Sequence, residues 1–141
     1  MEIKQALSKE EFINCWEVVH EFRPQLDLDH YLNLVLQMLD ESYKMLYVEV
    51  DNKTVAICSY RYITLLQRGK SIYIDDLYTL EAHRDKGYAT ALLQQVTQEA
   101  KQNALQSIHL DSEHQLFNAH RLYLNNDFKI TAHHFSLELT Q

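Results

Sequence analysis

The chain has 141 residues, 46% of them hydrophobic, with 20 acidic against 13 basic side chains and a net charge of −7. That length and apolar content give a single domain over residues 1–141 with a real core, and they exclude a disordered chain. The negative balance excludes nonspecific nucleic-acid binding, which depends on Lys and Arg neutralising phosphates; it is compatible with a cationic substrate, although solubility alone accounts for it. No apolar run approaches the ~20 residues needed to cross a bilayer, and no leader-like segment precedes the first strand, so a cytoplasmic protein with no membrane partner is expected. Cys15 and Cys58 make no CxxC or other metal-like spacing and read as two buried thiols in a reducing compartment.

Taken in order, residues 2–7 predict a short strand. Ser8-Lys9-Glu10-Glu11 is a capping box. The helix it opens carries Phe12, Cys15, Trp16 and Val19 on one stripe and runs to about Glu21, and Pro24 breaks the chain there. Leu28, Leu32, Val35, Leu36 and Leu39 repeat at helical spacing and predict a helix over residues 28–39. Residues 45–50 and 54–66 are strands joined by a hairpin turn at Asp51-Asn52-Lys53. After a turn at 67–70 containing Gly69, residues 71–80 alternate and are rich in Ile, Tyr and Leu, as a buried strand should be. These three strands form an antiparallel meander. From Tyr88 the period becomes helical, with Ala89, Leu92, Leu93, Val96 and Ala100 on one face, predicting a crossover helix over 87–103. The strand at 106–111 is then most simply parallel to the one before the helix. A helix over 116–125 and strands over 128–130 and 133–139 close the chain. The expected fold class is α/β: a sandwich with a central mixed, mostly antiparallel sheet and helices on both faces.

The join between the strand at 71–80 and the helix at 87–103 carries the chemistry. Gly87, one of only two glycines, sits there. Glycine permits a close backbone approach and unusual φ, and a helix start leaves its first N–H groups unpaired under a partly positive dipole. A phosphate or pyrophosphate is the natural occupant. On Gly87 alone an ordinary short connection between strand and helix is the favoured reading. A nucleotide P-loop or a dinucleotide fingerprint would need glycines that are absent.

What is present is Arg84-Asp85-Lys86-Gly87-Tyr88-Ala89, which matches [RQ]-x-x-G-x-[GA], and Ala119-His120-Arg121-Leu122-Tyr123 running on to Asp127-Phe128, which is similar to A-x-x-[FL]-Y-x-x-x-G-F. With the element order, these resemble the GNAT (GCN5-related N-acetyltransferase) family over essentially the whole chain. One departure is Asp127, where the family has Gly; Asp tolerates a left-handed conformation at some cost.

The resemblance implies acetyl-CoA as cosubstrate, with no metal. It implies that Arg84, Asp85, Lys86, Gly87, Tyr88, Ala89 and Thr90 hold the pyrophosphate, mainly through main-chain N–H groups. It implies that Leu77, Tyr78 and Thr79 pair with the pantetheine arm, and that a main-chain N–H near Leu77 or Tyr78 faces the thioester oxygen. Asn118, a little over one turn before Tyr123 and off the usual family spacing, is a further candidate for a coenzyme contact. Tyr123 is the expected proton donor to the leaving sulfur; the alternative is one more core tyrosine among nine. Asp75 and Asp76 are the candidates for binding the amine or taking its proton. Adjacent strand residues point to opposite faces, so one would face the cleft and the other would be solvated or paired locally. Glu21, Arg23, Asp27 and Asp29 either line the acceptor entrance or are merely solvated.

The favoured function is an N-acetyltransferase acting on a small-molecule or peptidyl primary amine by direct transfer, since no cysteine falls in the motif region to carry the acetyl group. The alternative is a catalytically inactive acyl-CoA-binding or regulatory module on the same fold. His109, His114, His120, His133 and His134 lie close in sequence but show no recognisable zinc spacing. A homodimer is common in the family that the chain resembles.

Overall fold

The structure, a computed structural model, describes residues 1–140. They divide into two compact units, Met1–Leu110 and Asp111–Gln141.

The first unit is built on a mixed five-stranded sheet in the order β1-β2-β3-β4-β5. The strands are β1 (Glu2–Gln5), β2 (Lys44–Val50), β3 (Lys53–Leu65), β4 (Gly69–Thr79) and β5 (Ser107–Leu110). The pairs from β1 to β4 are antiparallel, and β5 joins β4 in parallel. The β2–β3 hairpin closes through Asp51 and Asn52 at φ 51° and 63°. A two-residue turn with both φ positive matches the right-handed strand twist, and Asn and Asp accept that conformation readily.

Three helices, α1 (Lys9–Asn14), α2 (Trp16–Phe22) and α3 (Leu28–Leu39), lie between β1 and β2, and α4 (Tyr88–Gln102) lies between β4 and β5. The predicted capping box forms: Glu11 N–H donates to Ser8 Oγ at 3.2 Å, and Leu7 N–H donates back to Glu11 Oε1 at 3.1 Å. The single helix expected from Ser8 to Glu21 is two, restarting at the fully buried Cys15. The apolar stripe continues across the break, so periodicity does not reveal it. The α3 bounds are those predicted, and Asp27 caps it by accepting from His30 N–H at 2.8 Å.

One face of the sheet carries Met45, Tyr47 and Ile57, packed with Phe12, Val19, Tyr31 and Val35 from α1–α3. Alternation sends Lys44, Tyr60 and Tyr62 to the other face, where all three hydrogen-bond Glu99 of α4. Leu92, Leu93 and Val96 of the same helix are fully buried.

The second unit holds α5 (Phe117–Asn125). Its C-terminus closes as a Schellman motif: Phe128 N–H donates to Tyr123 O at 3.0 Å and Asp127 N–H to Leu124 O at 3.2 Å, with Asp127 at φ 69°. The Tyr123 and Phe128 rings complete the motif's apolar contact at 5.8 Å. Asp127 therefore takes the left-handed position that glycine would occupy. The strands expected at 128–130 and 133–139 are not formed; residues 128–140 carry no strand pairing, and Ile130, Phe135, Leu137 and Leu139 are exposed. An alternating pattern becomes a strand only where a neighbour accepts its ladder of hydrogen bonds and one face is covered.

Candidate active site

β3 and β4 fall out of step between Ser59 and Tyr60. Ser59 pairs with Asp76 and Tyr60 with Ile74, which leaves Asp75 as the extra residue of a β-bulge. In an unbroken strand Asp75 and Asp76 would face opposite sides. The bulge turns both into one cavity of about 370 Å³, which corrects the expectation that only one acid faces the cleft. The cavity's walls come from α2, α3 and the sheet and are mostly apolar, among them Phe22, Leu26, Met38, Tyr43 and Ile57.

Each acid has its own arginine. Arg61 Nε donates to Asp75 Oδ2 at 3.0 Å, with both side chains about four-fifths buried, and Arg61 is further fixed by Glu41 at 2.8 Å. Arg23, whose guanidinium lies 4.1 Å from the Phe22 ring centre, donates to Asp76 Oδ1 at 2.7 Å. That pair is more open, its side chains 40% and 27% exposed. Ser59 Oγ donates to the other Asp76 oxygen at 3.3 Å. Burial pushes the Asp75 carboxyl above its ordinary value, against the opposing pull of Arg61.

β4 outruns β5. The parallel ladder pairs Ser71–Ile74 with Ser107–Leu110 and stops there. Beyond it the edge of β4 that holds Leu77, Tyr78 and Thr79 has no partner strand in this unit, while the other edge stays paired with β3. Tyr78 OH donates to Glu21 Oε2 at 3.0 Å, and the same oxygen accepts from Glu81 N–H at 2.8 Å. Glu21 thus ties α2 to the end of β4 and to the single 3-10 turn that follows at Glu81–His83.

The loop after that turn enters α4 through Gly87, at φ 84°. A Cβ built there would meet nothing within 4 Å, so the backbone conformation, not crowding, calls for glycine. Among the described residues no protein acceptor pairs with the main-chain N–H groups of Asp85, Lys86, Gly87, Tyr88, Ala89 or Thr90; the helix's first bond is Ala91 N–H to Gly87 O. These six donors sit at the N-terminus of a 15-residue helix with no side-chain cap. Unpaired donors and the helix dipole together make a seat for an anion. The Arg84 side chain is less free than a loop residue would be: its Nε donates to Thr79 O at 3.2 Å and its guanidinium lies 5.2 Å from the Tyr78 ring centre.

Asn118 and Tyr123 lie on α5 of the second unit. No cluster of three or more His, Cys, Asp or Glu able to hold a metal occurs among the described residues. His120 Nε2 lies 2.8 Å from Glu113 O, and His109 Nε2 lies 2.7 Å from Ser107 Oγ. A larger, open groove of 570 Å³ lies at the opposite end of β4, around Arg68, Lys70 and Ser107, and no carboxylate side chain among the described residues lines it.

Of the four charged residues considered for the acceptor entrance, Glu21 and Arg23 engage β4, Asp27 caps α3, and Asp29 lies in the first turn of that helix. Arg61 and Ser59 were not among the candidates. The signal was a lone arginine inside the apolar run Val55-Ala56-Ile57-Cys58-Ser59-Tyr60-Arg61. A charge in the middle of a buried strand needs a partner, and the paired aspartates of the neighbouring strand supply one.

Residues 6–128 match the family model described as the acetyltransferase (GNAT) family. An uncharacterized N-acetyltransferase of Bacillus subtilis (strain 168), YhdJ, is 30% identical over 122 residues, 86% of each chain. Among solved structures, an acetyltransferase of Clostridium acetobutylicum crystallised with acetyl-CoA superimposes with a TM-score of 0.78 at 19% identity, covering 98% of this chain and 96% of the other. An aminoglycoside 6'-N-acetyltransferase of Acinetobacter haemolyticus gives 0.75 at 21% identity over 99% and 100% of the two chains. A likeness at such identities speaks for the fold, whereas the family model spans most of the sequence. The chain belongs to the GNAT family of acetyltransferases.

Proposed function

We propose that the protein is an acetyl-CoA-dependent N-acetyltransferase that moves an acetyl group directly to a primary amine held beside Asp75 and Asp76. The observation that carries this reading is the run of six main-chain donors at residues 85–90 with no acceptor among the described residues, joined by residues 80–84 to the open edge of β4. A diphosphate suits the first and an extended amide-bearing arm suits the second.

Acetyl-CoA supplies an activated thioester when bound. The chain's part is positioning, which by itself can remove a large share of the barrier. N–H groups at residues 85–90 take the pyrophosphate. Leu77, Tyr78 and Thr79 take the pantetheine arm, and one of their N–H groups polarises the thioester carbonyl. Asp76 holds the incoming ammonium. Asp75, raised by burial, takes the amine's proton directly or through a water. Tyr123 returns a proton to the leaving sulfur, and Asn118 adds a coenzyme contact. Direct transfer is supported by the cysteines: Cys15 and Cys58 are fully buried, and burial pushes the Cys15 thiol to about 12 and raises Cys58 as well. A thiol held protonated in the core is a poor acyl carrier.

Calorimetry with acetyl-CoA, followed by a turnover assay over an amine panel, tests the reading. Saturable binding with turnover of at least one amine is expected. Binding with no turnover of any amine would favour the inactive module, and absence of binding would remove the acetyl-transfer assignment.

A further inference from the structure

The cavity at the bulge has a charge pattern that restricts its occupant. Two carboxylates face it, and two guanidiniums already neutralise them. The remaining wall is apolar. A polycation would bring several positive centres to a cavity whose two lining carboxylates already have arginine partners. Each extra centre would lose water without gaining a partner.

The two ion pairs are not equivalent. Asp75–Arg61 is the more buried, and Arg61 is anchored a second time by Glu41. Asp76–Arg23 is half-open and sits at the end of α2, where no second carboxylate among the described residues pairs with Arg23. An amine that binds at Asp76 Oδ1 takes the place of Arg23 there, the other oxygen already accepting from Ser59. Its ammonium then satisfies Asp76 but leaves the guanidinium unpaired. A ligand that also carries a carboxylate satisfies both halves of the opened pair, so net charge is conserved and neither group is orphaned.

We propose, building on the acetyl-transfer reading, that the acceptor is a zwitterion with an apolar side chain: an aliphatic or aromatic α-amino acid whose ammonium replaces Arg23 on Asp76 while its carboxylate takes the Arg23 guanidinium. The two charged groups of an α-amino acid are close enough to exchange with one ion pair. The side chain lies against the apolar wall formed by residues such as Leu26, Met38 and Tyr43. The volume of about 370 Å³ holds one amino acid.

The test compares kcat/KM for L-phenylalanine, L-leucine and L-methionine with their amides, which keep the amine and side chain but lose the carboxylate, and with spermidine and kanamycin. The amino acids should exceed their own amides by at least tenfold. In Arg23→Gln that ratio should collapse toward one, and Arg23→Lys should restore part of it, with circular dichroism checking each fold. Amides equal to or better than the acids, or preferred turnover of spermidine or kanamycin, would overturn the zwitterion and leave acetyl transfer standing. Should Arg23→Gln not fold, the acid–amide ratio of the wild-type protein decides. Acetyl-CoA binding measured in parallel separates the two failures, because a chain that neither binds the coenzyme nor acetylates any of these amines fails at the earlier step.

Discussion

At the scale of single residues, the cavity of the first unit depends on where two carboxylates are held. Asp75 sits above its ordinary value because burial outweighs Arg61. A base must be ionised to accept a proton, so activity should fall as pH drops through a midpoint above the ordinary aspartate range. A kcat/KM profile checks this, and Asp75→Asn should lose that limb along with roughly 10²–10⁴ of the rate. Tyr123→Phe should lower turnover far more than it weakens acetyl-CoA binding, with the coenzyme Kd from calorimetry as the control; unchanged turnover would remove Tyr123 from the mechanism. The presence of the paired acids and the Tyr123 motif was legible in the sequence. That both acids face one cavity was not, since it depends on a one-residue slip between β3 and β4 that no local propensity encodes.

At the scale of elements, a chain with two glycines has to close its turns with other residues. Ser42, Asp51, Asn52, Asp85, Ala104 and Asp127 all take positive φ. Ala104 is the most costly of these chemically, having no side-chain polar group to compensate. It ends α4 in a Schellman motif, with Leu105 N–H on Ala100 O at 2.9 Å and Ala104 N–H on Lys101 O at 3.1 Å. Ala104→Gly should keep those bonds and relieve about 1 kcal/mol of left-handed strain, seen as a higher urea midpoint with unchanged slope. Gly87→Ala should have the opposite sign. It adds ~1–2 kcal/mol of strain at φ 84° without a clash, and it should weaken coenzyme binding more than a comparable exposed substitution. Turn residues and helix caps were visible in the sequence because their causes are local. The strands expected at 128–130 and 133–139 were misread because alternation describes a surface and says nothing of the neighbour that must pair with it.

Across the first unit, Glu99 joins α4 to the sheet by accepting from Tyr60 and Tyr62 and pairing with Lys44. Burial would raise its pKa, but the hydrogen bonds from the two tyrosines and the lysine overcome that and hold it below the ordinary glutamate value. A depressed folded value stabilises the fold above pH 4.5, and the contribution is lost as pH falls through the folded value. Glu99→Gln should therefore cost about 2–3 kcal/mol at pH 7 and less at low pH, measured as urea unfolding at a series of pH values. The sequence by itself determined the order of elements from β2 to α5, the family resemblance and the loop that enters α4, because hydrophobic period, capping and a glycine at a helix start act between residues a few positions apart. The tertiary structure alone decided the pairing of Arg23 with Asp76, of Arg61 with Asp75, and of three side chains with Glu99. Those contacts span 14 to 55 residues of chain, and a charge finds its partner only after the sheet register has brought the two together.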